Sequence, residues 1–434
     1  MTEVTRHLLE TLRTALRGQP AAGRLWLGYS GGLDSSVLMR LLVEAEIPFT
    51  ALHIHHGLSA QADAWLAHCE SEATKLAVPF VAMKVAVDRK RGGIEQGARE
   101  ARYTAFAHKM DTGDQILLAQ HGDDQTETFL LRLLRGAGVL GLGGMAQHRG
   151  IGAVDEGKSL LRPLLGVSRA ELEQYAAVNE LRWIDDDSNS DIAYDRNYLR
   201  SQVVPSLRSR WPLNARVAQA AENMREAAGL LEELAGEDLC RCGLRREPFG
   251  SSIDLPIYRA LSAPRKKNLL RGWLAGMGAQ MPEAAHLEQA LSQLDARDDA
   301  AVEVHLGERA LRRYRDRLYL TPQLPRLKST AGESEWFWDG TATLALPGGW
   351  TLSPSPAWPA GEYAVRFRNH GERARPRERH HSQTLKKLLQ EYGLPPWLRD
   401  RVPLVSRAGT LLAVGDLFVT AEGPPKPPIW TFLD

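Results

Sequence analysis

The stretch Leu25-Trp26-Leu27-Gly28-Tyr29-Ser30-Gly31-Gly32-Leu33-Asp34-Ser35-Ser36-Val37-Leu38-Met39-Arg40-Leu41-Leu42-Val43 decides the fold. An apolar run leads into two glycines, and a second apolar run follows them. The pattern predicts strand, tight turn and helix. Two glycines let the backbone approach a ligand where a Cβ would stand in the way. The helix that follows offers unpaired N–H groups and a partial positive charge. Hydroxyls from Ser30, Ser35 and Ser36 add donors, and the sum is a phosphate cradle. No Gly-Lys-Ser/Thr follows the glycines, so this is not a Walker loop, and γ-phosphoryl transfer is not the expected chemistry. Nor is it the Gly-x-Gly-x-x-Gly turn of dinucleotide folds.

The same alternation continues outward from the loop. Strands are predicted at 47–53, 78–87 and 115–120, and helices at 64–76, 94–110 and 123–135. Strands and helices alternating at this length predict an α/β domain, a doubly wound parallel sheet covered on both faces. Ligands of such sheets sit at the carboxyl ends of the strands. Ser30, residues 53–57 and residues 120–124 all fall at predicted strand ends. Residues 136–144 hold five glycines in nine and are expected to form a mobile loop. A helix capped by Ser168, with Glu171 at capping-box spacing, comes next. Residues 183–197 read as acidic and irregular, and Trp211-Pro212 as a domain edge.

Beyond that edge, Val217, Ala221, Met224, Ala228, Leu231 and Leu234 recur at helical spacing. The expected organisation is a nucleotide-binding domain over 1–213, a mainly helical domain over 214–321 closed by a hairpin, and a smaller α+β domain over 335–434. In the last, one short helix is expected over 384–392.

The chain has 434 residues, 43% hydrophobic and 25% charged, which is the composition of a globular protein of two to three domains. No apolar run approaches the ~18 residues of a membrane helix. The N-terminus lacks a signal-peptide pattern, so the expected location is the cytoplasm. Three cysteines, Cys69, Cys240 and Cys242, exclude a disulfide scaffold and leave no second pair for a zinc site. The net charge is only +1, but it is unevenly spread. Residues 196–216 carry five arginines and no acid, and residues 364–401 carry ten Lys/Arg against four Asp/Glu. Two basic islands on a near-neutral chain suit an anionic polymer, although each alone also reads as a solvated surface.

Resemblance narrows these readings. Ser-Gly-Gly-x-Asp-Ser after a strand resembles the loop of N-type ATP pyrophosphatases, the adenine nucleotide α-hydrolase-like fold. Further motifs follow in order: His53-Ile54-His55-His56-Gly57-Leu58, Ala98-Arg99-Glu100-Ala101-Arg102-Tyr103, and His121-Gly122-Asp123-Asp124-Gln125-Thr126-Glu127-Thr128. After these come Arg162-Pro163-Leu164-Leu165, Trp183-Ile184-Asp185-Asp186-Asp187-Ser188-Asn189, Asp195-Arg196-Asn197-Tyr198-Leu199-Arg200, Leu385-Lys386-Lys387-Leu388 and Pro395-Pro396-Trp397-Leu398-Arg399-Asp400. The ordered set resembles the tRNA(Ile)-lysidine synthetase family in its long form, over essentially the whole chain. Gly122 departs from it, since the family usually carries a side chain there.

The resemblance implies a two-step ligation. ATP adenylates the C2 oxygen of the wobble cytidine of a CAU-anticodon isoleucine tRNA and releases pyrophosphate. The ε-amine of free lysine then attacks C2 and expels AMP. The product, lysidine, switches decoding from AUG to AUA.

It also implies ATP contacts from Ser30, Gly31, Gly32, Leu33, Asp34, Ser35, Ser36, His55, His56 and His121. Asp34 is a helper for Mg2+ or simply a helix-start carboxylate. Asp123, Asp124 and Glu127 suit both ammonium binding and proton removal, or else complement a helix dipole. On a helix Asp123 and Glu127 share a face at i,i+4, and Asp124 and Glu127 are neighbours at i,i+3. A proton must leave the lysine, since an amine of pKa about 10.4 costs about 4.6 kcal/mol to deprotonate at neutral pH. Arg99 and Arg102 clamp phosphate or the adenylated base, or pair with Glu95 and Glu100. His55, His56 and His121 read as polar lining rather than a zinc set. Arg196, Arg200 and Arg208 are expected on the tRNA backbone, and Lys386, Lys387 and Arg399 on its acceptor stem.

Two other classes fit the loop alone. A tRNA thiolase would need paired Cys-x-x-Cys, and an amidotransferase a glutaminase domain. Neither is present. A nucleotide-gated RNA-binding protein would bind ATP without releasing AMP and pyrophosphate.

Overall fold

The structure is a computed structural model. It describes residues 2–17, 23–57, 59, 61–87, 94–152, 157–185, 191–279, 281–294, 302–324, 335–369 and 371–432, with the side chains of 94 and 95 excepted. The chain divides into two compact units, Met1–Gly229 and Leu230–Asp434.

The first unit runs α1 (Glu3–Leu16), β1 (Leu25–Gly28), α2 (Leu33–Glu44), β2 (Thr50–His55), α3 (Ala62–Lys75), β3 (Phe80–Lys84), α4 (Ile94–Lys109), β4 (Gln115–Leu117), α5 (Gly122–Leu134), α6 (Val139–Leu142), β5 (His148–Gly150), β6 (Ser159–Leu161), α7 (Arg169–Val178) and α8 (Asp195–Tyr198). A π-helical turn, Leu199–Val203, leads into α9 (Val204–Arg208), and α10 (Leu213–Arg241) continues past the division. Among the described residues the sheet has the order β3-β2-β1-β4-β6-β5. All its pairs are parallel except β5 with β6.

Alternation along the strands explains why both faces are covered. Leu27, Ala51, Leu117 and Leu161 join α1, α2 and α7 in one core. Their chain neighbours Trp26, Leu52, Ile116 and Leu160 join Phe106 of α4 and Met110 just after it in the other. Side chains on a strand alternate faces, so each strand feeds two cores. Each fully buried leucine contributes about 1.5–3 kcal/mol. The direction in which strands are added reverses between β1 and β4, and their carboxyl ends flank the crevice that such a reversal opens.

Two sequence expectations need correction. The second strand begins later and runs further than 47–53, because Ile47 closes the end of α2 through its N–H on Leu42 O at 3.0 Å. The glycine-rich stretch 136–144 contains helix α6 rather than a free loop. Arg132 Nη1 donates to Gly141 O and Gly144 O, each at 2.8 Å, and Arg225 Nη1 donates to Gly143 O at 2.6 Å. Those two guanidinium groups satisfy the carbonyls that a loop would leave to water.

The second unit adds β7 (Arg245–Glu247), β8 (Gly250–Asp254), α11 (Leu255–Ala260), α12 (Ala263–Gly276), α13 (Ala284–Leu294), β9 (Glu303–Leu306), β10 (Arg309–Tyr314) and β11 (Arg317–Pro322). The helices pack on an antiparallel sheet of order β7-β8-β11-β10-β9. The hairpin expected to close the central domain is a three-stranded meander, β9-β10-β11, whose second turn is at Arg315 with φ 51°. Then come β12 (Trp336–Trp338), β13 (Leu344–Leu346), β14 (Trp350–Ser353), β15 (Tyr363–Phe367), β16 (Arg373–Ala374), β17 (Gln383–Thr384), α14 (Leu385–Glu391), β18 (Pro403–Arg407), β19 (Thr410–Val414), β20 (Phe418–Val419) and β21 (Ile429–Phe432). Their core is aromatic, with Trp350 stacked on Trp430 at 4.5 Å. No described helix is long and apolar enough to cross a membrane.

Candidate active site

The loop after β1 has the geometry that its glycines demand. Gly31 has φ +85°, and a Cβ there would lie 2.6 Å from Cys69 Sγ and 2.8 Å from Ile184 Cδ1. Gly32 is the N-cap of α2 with φ −74°, and its Cβ would meet Ser30 Oγ only at 3.6 Å. Ile184 N–H donates to Gly31 O at 2.9 Å, so the start of the acidic segment lies against the loop. Residues 186–190 of that segment lie outside the described residues. Ser30 Oγ and Ser35 Oγ are 3.1 Å apart, Ser35 Oγ donates to Gly32 O at 3.0 Å, and Ser36 Oγ donates to Gly31 O at 3.5 Å. The hydroxyls hold the turn's shape. Leu33 sends its side chain into the core, which leaves only its backbone to face a ligand.

The second wall is the start of α5, at the end of β4. His121 is the N-cap: its Nδ1 accepts the Asp123 N–H at 3.2 Å, while Asp124 Oδ2 accepts the His121 N–H at 3.1 Å. An accepting Nδ1 places the ring proton on Nε2. That nitrogen lies 3.7 Å from Asp34 Oδ1 and 3.5 Å from Asp124 Oδ2, so the imidazole bridges the two walls. Gly122 fits tightly, since a Cβ there would lie 3.0 Å from Val167 O.

Each acid of the site carries an arginine. Asp34 Oδ1 and Oδ2 accept from Arg169 Nη1 at 2.9 and 3.0 Å. Asp123 accepts from Arg208 Nη2, from Asn214 Nδ2 at 2.9 Å and from the Arg169 backbone N–H at 2.9 Å. Asp124 accepts from Arg196 Nη2 at 2.7 Å. Glu127 accepts from Arg196 Nε at 2.6 Å and from Arg200 Nε and Nη2 at 2.6 and 3.0 Å. Of the two helical spacings, the i,i+3 pair Asp124 and Glu127 thus meets on one guanidinium. Asp123 turns away toward α7, α9 and α10.

Burial pushes the Asp34 carboxyl above the usual aspartate range, although His121 and Arg169 pull it down. Burial also raises Asp123 and Asp124, but there it is outweighed. The Arg169 N–H and Arg208 hold Asp123 below its ordinary value, and His121 and Arg196 do the same for Asp124.

Arg196, Arg200 and Arg208, expected on an RNA backbone, therefore lie on this acid cluster. Arg196 and Arg200 are four apart across the end of α8 and share a face. Arg102 is exposed on α4. Arg99 lies over the Tyr103 ring at 5.2 Å and Glu100 is bonded by Gln96 at 2.9 Å; the Glu95 side chain lies outside the described residues. His55 Nε2 sits 3.1 Å from Asp63, and His56 is half-buried with its pKa lowered to about 4, by burial first and by Arg102 next. Among the described residues no group of three or more His, Cys, Asp or Glu could hold a metal. Lys386 and Lys387 are exposed on α14, whereas Arg399 is half-buried, donating to Leu394 O at 3.0 Å and to the Tyr314 hydroxyl at 3.3 Å.

Sequence reading missed Arg169, Asn214 and the use made of Arg162. Arg162 is buried; its Nε donates to the Gln120 side chain at the β4 end and its Nη1 to Ala146 O at 2.7 Å. One signal pointed to Arg169. It is a cation in the first turn of a helix, where the dipole disfavours it, and a broken local rule marks functional positions.

Known proteins resemble this chain along its whole length. Residues 2–207 match the PP-loop domain, residues 254–319 the TilS substrate binding domain and residues 363–429 the TilS substrate C-terminal domain. The chain is 41% identical to the tRNA(Ile)-lysidine synthase of Pectobacterium atrosepticum, over 99% of this chain and 98% of that protein. It is 43% identical to the tRNA(Ile)-lysidine synthase of Pseudomonas aeruginosa, over 94% and 92%. A U34-tRNA thiolase from Methanococcus maripaludis aligns at 15% identity with a TM-score of 0.43, over 51% of this chain and 80% of that one. With a phosphate loop at the sheet's reversal point, an acid cluster facing it and relatives matching end to end, the chain belongs to the tRNA(Ile)-lysidine synthase family.

Proposed function

We propose that this chain ligates lysine to C2 of the wobble cytidine in a CAU-anticodon isoleucine tRNA, using ATP and releasing AMP and pyrophosphate. The observation that carries the reading is His121 Nε2 lying between the loop's Asp34 at 3.7 Å and Asp124 at 3.5 Å, which brings the loop's carboxylate to the acids Asp123, Asp124 and Glu127 at the start of α5. A cytosine oxygen is a poor leaving group, so it must first become a phosphate ester. The Gly31 and Gly32 amides and the start of α2 hold the outer phosphates and stabilise the charge that develops as they leave. The acids receive the ammonium of lysine and then its proton, which is easier once water is excluded.

Mg2+ fits the site only in company. No described side-chain cluster could hold it alone, but Asp34 suits an ion that arrives with most of its ligands from phosphate and water. When bound, it neutralises charge on the phosphates. The basic island 364–401, with Lys386 and Lys387, suits the tRNA acceptor stem. Residues 1–213, 214–321 and 335–434 then serve as catalytic, central and terminal domains of an enzyme acting on cytoplasmic tRNA.

The test is incubation with ATP, labelled lysine and unmodified isoleucine tRNA. Label retained on RNA, with AMP and pyrophosphate in equal amount, is expected, and Asp34→Ala abolishes pyrophosphate release. AMP without label on RNA would point instead to another activity of the same loop superfamily. Wild-type pyrophosphate release by Asp34→Ala would remove that carboxylate from the mechanism.

A further inference from the structure

The loop 30–36 lacks the lysine with which a Walker loop reaches the outer phosphates. Glycine amides and one helix end carry only partial charge, so a triphosphate there needs a full cation from the protein. Arg169 is placed to be it. Its Nη1 lies 2.9 and 3.0 Å from the two oxygens of Asp34, the second residue of α2, which puts the guanidinium at the rim of the loop. Its backbone N–H is fixed on Asp123 Oδ2 at 2.9 Å. The side chain is 38% exposed, so the group is open to an incoming ligand. It also opens α7, a ten-residue helix whose N-terminus is already capped by Ser168 and Glu171. There the helix dipole disfavours a cation, and the chain balances it with Asp34 at Nη1 and with Glu173 one turn on, whose Oε1 accepts from Arg169 Nε at 3.0 Å. Nε stays on Glu173, which leaves only the Nη1 side to exchange partners. The other three arginines of the cluster face Asp123, Asp124 and Glu127 on the α5 wall; Arg169 alone among the four lies on the loop's own carboxylate.

We infer that Arg169 is the phosphate-binding cation of this site: it rests on Asp34 while nucleotide is absent and moves to the outer phosphate oxygens when ATP binds. No bond is made or broken in the exchange; one charge-assisted hydrogen bond replaces another. After cleavage between the α and β phosphates the same guanidinium faces the leaving pyrophosphate, whose added charge strengthens the contact. The inference deepens the proposed function and rests on it for the identity of the nucleotide.

The experiment is calorimetric titration of the full-length chain and its R169Q and R169K variants with α,β-methylene-ATP and, separately, with adenosine, alongside melting temperature and steady-state kinetics. R169Q is expected to weaken binding of the analogue about 10-fold or more and to leave adenosine binding unchanged. R169K is expected to recover most of the loss. In turnover, KM for ATP rises and pyrophosphate release slows, while KM for lysine is unchanged. Binding of the analogue by R169Q indistinguishable from wild type overturns the inference. So does an equal loss for adenosine, which makes Arg169 a brace for α7 and nothing more. A wild-type chain that binds the analogue but attaches no lysine to RNA overturns the ligation reading and leaves this titration decisive for Arg169.

Discussion

Gly31→Ala is the sharpest test of the loop. The native φ of +85° lies in the left-handed region, which costs an L-residue about 1–2 kcal/mol. The new methyl would also stand 2.6 Å from Cys69 Sγ and 2.8 Å from Ile184 Cδ1, closer than such atoms approach. Overpacking of a buried contact adds about 1–3 kcal/mol. Together the two terms give a loss of about 3 kcal/mol, which for a unit spanning Met1–Gly229 lowers its melting temperature by roughly 6–12 °C. Gly32→Ala is the control. Its φ is −74° and its nearest contact is 3.6 Å, so its stability cost stays below about 1 kcal/mol. Both variants weaken binding of α,β-methylene-ATP: Gly32→Ala puts a methyl where a phosphate must approach backbone, and Gly31→Ala shifts the turn because its methyl is driven against Cys69 and Ile184. Calorimetric melting and titration of the full chain read the two effects separately. A Gly31→Ala protein that melts with wild type, or a Gly32→Ala protein that binds nucleotide as wild type, refutes the account of the cradle.

Replacing both Lys386 and Lys387 by Ala removes two exposed cations from α14. The slope of log affinity for tRNA against log salt is expected to fall by about 1.8, with nucleotide affinity unchanged; an unaltered slope assigns both lysines to solvent. Burial holds the His56 pKa down at about 4. As pH falls below the ordinary histidine range the unfolded chain takes a proton that the folded chain refuses, so stability declines between roughly pH 6.5 and 4. Urea unfolding of His56→Gln across that range should decline less steeply, and an identical slope would show that His56 does not titrate as described. Trp397→Ala removes a ring that packs at 5.4 Å from Tyr319, at 6.2 Å from Tyr314 and under Arg312 at 5.6 Å. A loss of about 3 kcal/mol in the second unit is expected, read as a lower urea midpoint with nucleotide binding unaffected.

What could be read from the sequence was local. Ser30 to Ser36, and His121 with the acids behind it, announce themselves because a turn and a helix start are written in adjacent residues. The parallel sheet followed from alternation. The arginines were visible as a basic island, but not their destination. Arg169 meets Asp34 across 135 residues, and Asn214 meets Asp123 across 91. No periodicity reports such a pairing, and a run of five arginines without acids looks like an RNA surface until the acids they face are seen elsewhere. The sheet of the central region was hidden for the same reason, since β8 precedes three helices and finds its partner in β11 only after them.

The pairing of every site carboxylate with a guanidinium has a consequence for life in a crowded cell. A bare pocket of four acids would be a sponge for polyamines and stray amino acids. Here each intruder must evict a tethered competitor that never diffuses away, so weak visitors fail. Selectivity among ammonium compounds thus begins before the true reactant is recognised, as an entry threshold set by the chain against itself.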